Sequence, residues 1–319
     1  MPSDPRVRRL PGPISVLTAV FVLLIVAAAP LTDGTNEALL RPVGQGGSSA
    51  AAQDMELAAT VRRYYVATNG SDSNSGSKTR PWKSVYAAIN KMTRGGILYV
   101  RGGTYSYSGE NIIGARRTST TRVTVTNYPG ETPVFKTTST QAIFMWFRNA
   151  ANITVQHLVV YGDPNSPTRV SHGGAIFQFT GNTSGIVLSG NKAYGGPRWA
   201  NTQHGVYIGA GTVRDIQIKW NLFHGQGGDG AGFHSYHDPN GRRITVRNNT
   251  FYKWDTCVLV WSNTSGLYVR DNTISTCRIG VRYHNSRGTA VTGNRALNNS
   301  QTIVRDTRAY LSESRNTWN

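Results

Sequence analysis

Side chains that could move protons are concentrated in one part of this 319-residue sequence. All seven histidines lie between His157 and His284. Histidine has an unperturbed pKa of about 6.5, so it can take or give a proton near neutral pH. Long turns fall in the same region, and loops on a rigid scaffold often carry function. The catalytic candidates in this region are His204, Asp229, His234 and His237.

Aromatic and basic residues nearby could bind a substrate. The rings of Tyr207, Tyr236 and Trp261 could stack on sugar faces, and Arg282 could neutralise a carboxylate. Removing the proton next to a carboxyl group needs a base and a group that stabilises the developing negative charge. These residue types therefore suit proton removal beside a carboxylate, although inward packing of Trp261 explains that residue equally well.

Two carboxylates are candidate metal ligands. Asp229 and Asp255 could hold a cation, and oxygen ligands of this kind suit Ca²⁺. Asp229-Gly230 is also a turn sequence, so both interpretations of Asp229 stay open. The polar run from His234 to Gly241 is likewise either part of a site or a polar turn.

A sequence repeat must position these side chains. Five similar segments end in asparagine at positions 191, 221, 249, 272 and 294, which gives steps of 30, 28, 23 and 22 residues. The residues five and three positions before each asparagine are apolar, apart from Thr289, and alternate with polar residues. This is the period of a strand with one buried face. A further inward candidate follows each asparagine by two residues: Ala193, Phe223, Phe251, Ile274 and Ala296. The pattern predicts a solenoid of stacked coils.

The repeated asparagines are predicted to adopt the left-handed conformation of a sharp turn and to form a ladder of stacked amides. A second set of strands precedes the asparagine-ended strands: Ala175–Phe179, Val206–Ala210, Ala231–Tyr236, Val258–Trp261 and Gly280–Tyr283. His204, Asp229 and Asp255 each open a strand of this second set. Stacking of the coils is therefore expected to bring these three residues into one column.

The short strands ending in asparagine resemble the right-handed parallel β-helix of the pectate lyase-like superfamily, over roughly residues 63–319. The resemblance implies an all-β, single-stranded parallel β-helix with an N-terminal α-helical cap. It also implies that the junction between turn and second strand carries calcium ligands and catalytic bases. No Asp-Asp-Gly cluster and no clear catalytic Lys or Arg motif accompanies it here. Tyr236, Asp238 and Pro239 are similar to part of the Tyr…Asp-Pro-His run of mannuronan C5-epimerases.

The N-terminal part divides into three segments. Residues 1–30 are interpreted as a signal peptide or signal-anchor, because a basic start precedes an apolar stretch shorter than a membrane-spanning helix. Residues 31–60 are interpreted as a flexible linker, and residues 61–319 as the β-helix domain. In the cap, a helix is predicted to begin near Pro81 and to place Trp82, Val85, Ile89 and Met92 on one face.

Charge and cysteine content bear on partners and location. The formal net charge is +18, and removal of Asp4, Arg6, Arg8 and Arg9 with the signal would leave 18 − 3 + 1 = +16. This surplus favours acidic polysaccharide as a partner, and no zinc spacing or aromatic-rich RNA motif supports nucleic acid. We expect a secreted monomer that contacts membrane only through an uncleaved N-terminal segment. Cys257 and Cys277 form either a disulfide or two buried thiols.

Two classes of function remain open from the sequence. The first is a polysaccharide enzyme, with a lyase on uronate-containing polysaccharide preferred over a glycoside hydrolase or a C5-epimerase. The second is a non-catalytic β-helix that binds glycans or cell wall. Convergence of the candidate residues in one groove would distinguish an enzyme from a binding module.

Overall fold

The computed structural model describes residues 61–114, 120–138, 142–162, 174–197, 204–227, 230–236, 242–261, 266–306 and 310–319. The signal and linker segments predicted for residues 1–60 lie outside this range, as do Asp229 and His237. None of the helices within the described ranges has the length and apolar character needed to cross a membrane.

The described chain is built almost entirely of short strands. The N-terminal elements are β1 (Arg63–Val66), α1 (Val85–Lys91), β2 (Gly96–Val100), β3 (Gly103–Tyr107), β4 (Glu110–Ile113), β5 (Val123–Asn127), β6 (Pro133–Thr137), β7 (Ile143–Arg148), β8 (Ala151–Gln156) and β9 (Val159–Tyr161). The central elements are β10 (Ala175–Ser189), β11 (Lys192–Pro197), β12 (His204–Lys219), β13 (Leu222–Gln226), β14 (Ala231–Tyr236), β15 (Arg242–Arg247), β16 (Thr250–Tyr252) and β17 (Thr256–Trp261). The last are β18 (Leu267–Arg270), β19 (Thr273–Ser275), β20 (Ile279–His284), β21 (Arg287–Thr292), β22 (Arg295–Leu297), β23 (Gln301–Arg305), β24 (Tyr310–Ser314) and β25 (Thr317–Trp318).

All of these strands pair in parallel and form three faces of a β-helix. The ladder sheet runs through β1, β2, β5, β8, the second halves of β10 and β12, β15, β18, β21 and β24. The second sheet runs through β4, β7, the first halves of β10 and β12, β14, β17, β20 and β23. The third sheet runs from β3 through β6, β9, β11, β13, β16, β19 and β22 to β25. The predicted second set of strands is confirmed as the second sheet.

The predicted asparagine ladder is confirmed and is one residue longer than expected. Asn191 Nδ2 donates to Asn221 Oδ1 at 3.0 Å, and the same bond repeats through the ladder to Asn316 at 2.9 to 3.1 Å. Each backbone N–H of the series also donates to the next side-chain oxygen. The five predicted asparagines are buried, and satisfied buried amides of this kind fix the stacking register.

The left-handed residue at this corner is not the asparagine, which corrects the prediction. The residue before it takes the positive φ: 64° at Gly190, 56° at Trp220, 54° at Asn248 and 55° at Asp271. A ladder asparagine therefore keeps ordinary backbone geometry and uses its side chain for the ladder. A bulky residue in the left-handed region costs on the order of 1–2 kcal/mol, so Trp220 is the unusual member of this series.

The predicted inward positions form the core. Ile186, Leu188, Ile216 and Ile218 are fully buried, and so are their counterparts on later coils. The positions two after each asparagine are buried as well: Ala193, Phe223, Phe251, Ile274 and Ala296. Full burial of one large apolar side chain contributes about 1.5–3 kcal/mol, and in a solenoid each coil covers the next.

The N-terminal helix forms, but later than predicted. Ser84 is its N-cap, and the Ser84 side chain accepts a hydrogen bond from the Ala87 N–H. Trp82 lies before the helix in a bridge to Val66, so it is buried through the sheet rather than through a helical face. Val85 and Ile89 supply the buried face of the helix.

Cys257 and Cys277 form a disulfide, with their Cα atoms 5.9 Å apart. Their sequence phase differs because Cys257 lies within β17 whereas Cys277 lies in the turn after β19. The bond therefore crosses the corner diagonally, beside the Trp254 N–H that donates to Cys277 Sγ.

Candidate functional site

The outer side of the second sheet brings several predicted site residues together. One register row contains Gln178, Tyr207, His234 and, beyond Leu259 of β17, Arg282. Side chains two residues apart on a strand share a face. A second row therefore runs beside the first and contains Tyr236, Trp261 and His284. We call these seven residues, with Asp306 after β23, the site face.

His204 and His234 form a hydrogen-bonded pair at the edge of the site face. The Ala231 N–H donates to His204 Nδ1 at 2.9 Å, and His204 Nε2 lies 3.2 Å from His234 Nδ1. A backbone amide can only donate, so His204 Nδ1 must accept and its proton must sit on Nε2. His204 then donates to His234 Nδ1, which leaves the neutral ring of His234 with its proton on Nε2.

Burial keeps both imidazoles neutral at physiological pH. Burial lowers the pKa of His204 to about 4. Burial and then the neighbouring His204 lower the pKa of His234 to about 2. The His234 Nε2–H is buried and has no hydrogen-bond partner among the described residues. His234 is thus poised as a hydrogen-bond donor and not, in this tautomer, as a base.

Two tyrosines surround the histidine pair. The Tyr207 ring stacks on His204 with centroids 5.6 Å apart and meets His234 edge-on at 5.2 Å. Burial, and then proximity to Tyr236, raise the pKa of Tyr207 to about 12, so its phenol stays protonated. Tyr236 is 41% exposed and lies 5.8 Å from the His234 ring. These rings form an aromatic wall with polar tips.

A second cluster lies next to this wall on the following coils. The Trp261 and His284 rings stack at 3.9 Å, and the Arg282 guanidinium lies 5.8 Å from the Trp261 ring. Asp306 Oδ2 lies 3.1 Å from both Arg282 Nε and His284 Nδ1. Burial acts to raise the pKa of Asp306, but the hydrogen bonds from Arg282 and His284 outweigh it, and the pKa is lowered.

Asp255 lies outside the predicted column. The register sets His204 opposite the row of Ala231 and Thr256, and Asp255 precedes that row by one residue. The turns differ in length between coils. Residues at equal sequence distances from their ladder asparagines therefore do not lie in the same register row of the second sheet. Asp255 instead pairs with Arg278, at 2.5 Å from Nε to Oδ1.

The Asp255–Arg278 pair lines a groove of about 650 Å³ at the corner between the third and second sheets. Lys253 and Trp254 line the same groove. No group of three or more His, Cys, Asp or Glu side chains suited to a metal occurs in the part of the chain that the structure describes. Asp229 and His237, the remaining predicted candidates, lie outside that part.

Three residues of the site face were not among the candidates predicted from the sequence. His284 and Asp306 are separated by 22 residues, the same step that separates Asn272, Asn294 and Asn316. That spacing places them on successive coils and could have identified the pair. Gln178 was also missed, and no spacing or motif marks it.

Comparisons with known proteins identify the fold. The family model described as "Pel9A-like, right handed beta helix region" matches residues 64–302, which confirms the predicted right-handed β-helix. None of the curated proteins matches the sequence.

Several solved structures are similar at low identity. Pectate lyase Pel9A is 15% identical, the match covers 78% of this chain and 79% of that one, and the TM-score is 0.46. XylC in complex with xylose is 10% identical, with coverages of 79% and 70% and a TM-score of 0.45. A rhamnogalacturonan lyase is 14% identical, with a TM-score of 0.38. The match covers 79% of this chain but only 62% of the rhamnogalacturonan lyase, less than two thirds of its length.

Proposed function

Because the chain belongs to the Pel9A-like right-handed β-helix family, we propose that it is a polysaccharide lyase acting on uronate-containing polysaccharide. The proposal depends on one observation above all. The hydrogen-bond series from Ala231 through His204 ends in a His234 Nε2–H that has no described partner, on a ring that contacts Tyr207 and Tyr236.

The lyase reaction needs a base, a proton donor and groups that stabilise negative charge. A base removes the proton α to the uronate carboxyl group, and the C–H electron pair forms a carbon–carbon double bond. The glycosidic C–O bond at the β carbon breaks, and the leaving oxygen takes a proton. Charge builds up on the carboxylate in the transition state, so hydrogen bonds and positive groups aimed there accelerate the step.

In this proposal His234 is the donor to the substrate carboxylate, and Arg282 adds positive charge. The His234 Nε2 atom is covered in the structure, so substrate binding must move a neighbouring ring, and Tyr236 is an exposed one. Tyr207, whose pKa is about 12, suits protonation of the leaving oxygen. Trp261 offers a ring on which a sugar can stack.

We assign the role of the base to Tyr236 or to the next residue, His237. The fixed tautomer of the histidine pair argues against His204 or His234 as the resting base. Tyr236 contacts both Tyr207 and His234, with ring centroids 6.3 Å and 5.8 Å away. An epimerase would use the same proton abstraction and return the proton to the opposite face of the carbon.

A glycoside hydrolase is less well supported. Hydrolases of that type use two carboxyl groups flanking the bond. Among the described residues of the site face the carboxylate is Asp306, and Arg282 and His284 engage it. Ca²⁺ bound by Asp229 and Asp255 would neutralise the substrate carboxylate, and at Asp255 it would replace Arg278 as the partner of the carboxylate.

Location and partners form part of the same proposal. We propose a secreted monomer that acts on acidic polysaccharide and not on nucleic acid, with membrane contact only if residues 1–30 stay attached. The Cys257–Cys277 disulfide supports an oxidising compartment. The formal charge of +18 supports an anionic substrate.

The test is an assay for unsaturated product on polygalacturonate, rhamnogalacturonan and alginate, with added Ca²⁺ and with a chelator. We expect His234→Ala to lower kcat/KM by about 100-fold or more, because it removes a transition-state donor. Tyr236→Phe is expected to lower kcat similarly. His224→Gln on the third sheet is the matched control and should retain wild-type turnover.

One result would contradict the lyase activity, and another would contradict its assignment to the site face. If wild-type protein binds these polymers but releases no unsaturated product, the non-catalytic glycan-binding alternative replaces it. If product forms and folded His234→Ala and Tyr236→Phe variants keep wild-type rates, the reaction occurs away from the site face.

A further inference from the structure

The outer side of the ladder sheet carries a row of like charges. Lys219, Arg247 and Arg270 lie directly opposite one another on β12, β15 and β18. Neighbouring strands are about 4.8 Å apart, and like charges directly opposite each other destabilise a sheet. None of the three forms an ion pair with another described residue. We call these three residues the cationic row.

An exposed tryptophan lies against the cationic row. Trp220 is 54% exposed, with Lys219 Nζ 4.9 Å and Arg247 Cζ 5.2 Å from its ring. Its φ of 56° is the left-handed conformation that Gly190 and Gly293 adopt at the same corner of other coils. A large ring that is exposed, strained and unnecessary for the core suggests a role in binding.

The surroundings add positive charge. Arg214 and Arg242 lie opposite each other toward the other end of the same strands. Asp215 is the nearby carboxylate, and it pairs with Arg243 at 2.5 Å from Nε to Oδ1 and lies 3.9 Å from Arg214 Nε. The carboxylate of Asp271 lies against the backbone of Gly293. The charges of the cationic row pair with no described carboxylate, and they are therefore available to an external partner.

We propose that the cationic row and Trp220 bind a linear acidic polysaccharide on the ladder sheet, separately from the site face on the second sheet. Guanidinium groups bind carboxylates through paired hydrogen bonds, and a tryptophan ring can stack on a sugar face. A row of evenly spaced charges along the solenoid axis matches a linear polymer that carries one charge per sugar. A broad, flat membrane surface would not need such a row.

Binding here would hold a polymer close to the protein without contributing to chemistry. A tethered polymer reaches any second site at a raised effective concentration. The inference does not depend on the proposed lyase activity, because the same surface would serve a purely glycan-binding protein.

The first test compares two triple variants that lose the same charge. K219Q/R247Q/R270Q removes the cationic row, and R80Q/K83Q/R94Q removes three exposed cations from the N-terminal region as the matched control. We expect the row variant to bind polygalacturonate about tenfold or more weakly, with a smaller dependence on salt, whereas the control stays near wild type. Equal affinity of the two variants would overturn the proposal.

The second test uses Trp220→Gly. Glycine accepts the left-handed backbone, so thermal stability should be unchanged or higher, while affinity for polygalacturonate should fall several-fold. Wild-type affinity in this variant would show that Trp220 does not contribute to the binding surface.

Parallel measurements with vesicles containing phosphatidylglycerol and with single-stranded DNA separate the alternatives. If the row variant loses binding to either of these while its polygalacturonate binding is unchanged, the partner is not a polysaccharide. All of these measurements record binding alone, so they test this surface even if the protein has no lyase activity.

Discussion

His204 has its role fixed by a single backbone group. The Ala231 N–H requires an acceptor, and this requirement sets the tautomer of His204 and, through it, that of His234. The sequence identified both histidines as candidates but treated them as bases. Their roles depend on which backbone amide reaches which ring nitrogen, and residue type and spacing do not contain that information.

A stability measurement on two variants tests the His204 contact. His204→Ala leaves the buried Ala231 N–H without a partner, and we expect it to lower the free energy of unfolding at pH 7 by about 1–3 kcal/mol. His204→Gln offers an oxygen acceptor and should lower it less. Denaturant unfolding provides the comparison, and equal stability of the two variants would show that the amide does not need His204.

The same variants should change the pH dependence of stability. The pKa of His204 is about 4 in the folded protein, below the usual 6.5, so the unfolded chain binds more protons. Wild-type stability is therefore expected to fall as pH drops from about 6.5 towards 4, and His204→Gln should fall less. The lowered pKa of Asp306 acts in the same direction, but below the usual range of a carboxyl group.

At the scale of elements, the ladder strands were predictable and the site strands only in part. Apolar residues alternate before five asparagines, and those strands formed as expected. Asn316 escaped prediction because the inward position three before it is Glu313, which opposes Val291 and pairs with Arg305. Asp255 was predicted in the wrong register row of the second sheet. The length of the turns decides which row a residue occupies, and that length varies from coil to coil.

We expect substitution of an asparagine in the middle of the ladder to destabilise the protein more than substitution of the last one. Asn249→Ala removes the acceptor of two donors from Asn221 and the donor to Ile218, all of them buried, so we expect a loss of about 3 kcal/mol or more. Asn316→Ala disturbs a partly buried site and should cost clearly less. Thermal unfolding of both variants checks the order, and a larger loss for Asn316→Ala would contradict it.

At the scale of the whole molecule, one scaffold presents different chemistry on different faces. The ladder sheet carries cations and the second sheet carries the aromatic and histidine cluster. The chain has 34 Lys and Arg against 16 Asp and Glu, so repulsion outweighs attraction on average. The net charge could be predicted from the composition. The distribution of that charge over the faces could not, because it depends on the register of the strands.

This imbalance predicts the response to salt. Raising NaCl from about 10 mM to 150 mM shortens the range of repulsion, so we expect the melting temperature to rise by a few degrees. Most surface ion pairs contribute little and should not reverse the trend. Differential scanning calorimetry of the ligand-free protein checks this, and a melting temperature that falls with salt would show that attractive pairs dominate.

The strand β12 has a mechanical consequence. It runs for 16 residues from His204 to Lys219 and passes from the second sheet into the ladder sheet, with a shift in its register against β10 between Ile208 and Gly211. Tyr207 and Lys219 therefore belong to one strand, and β10 pairs with it in parallel on both sides of the register shift. Tension applied by a long polymer held at Lys219 would pass along this strand to the rings around Tyr207. A single strand thus connects the surface proposed to bind a polysaccharide chain with the surface proposed to act on it.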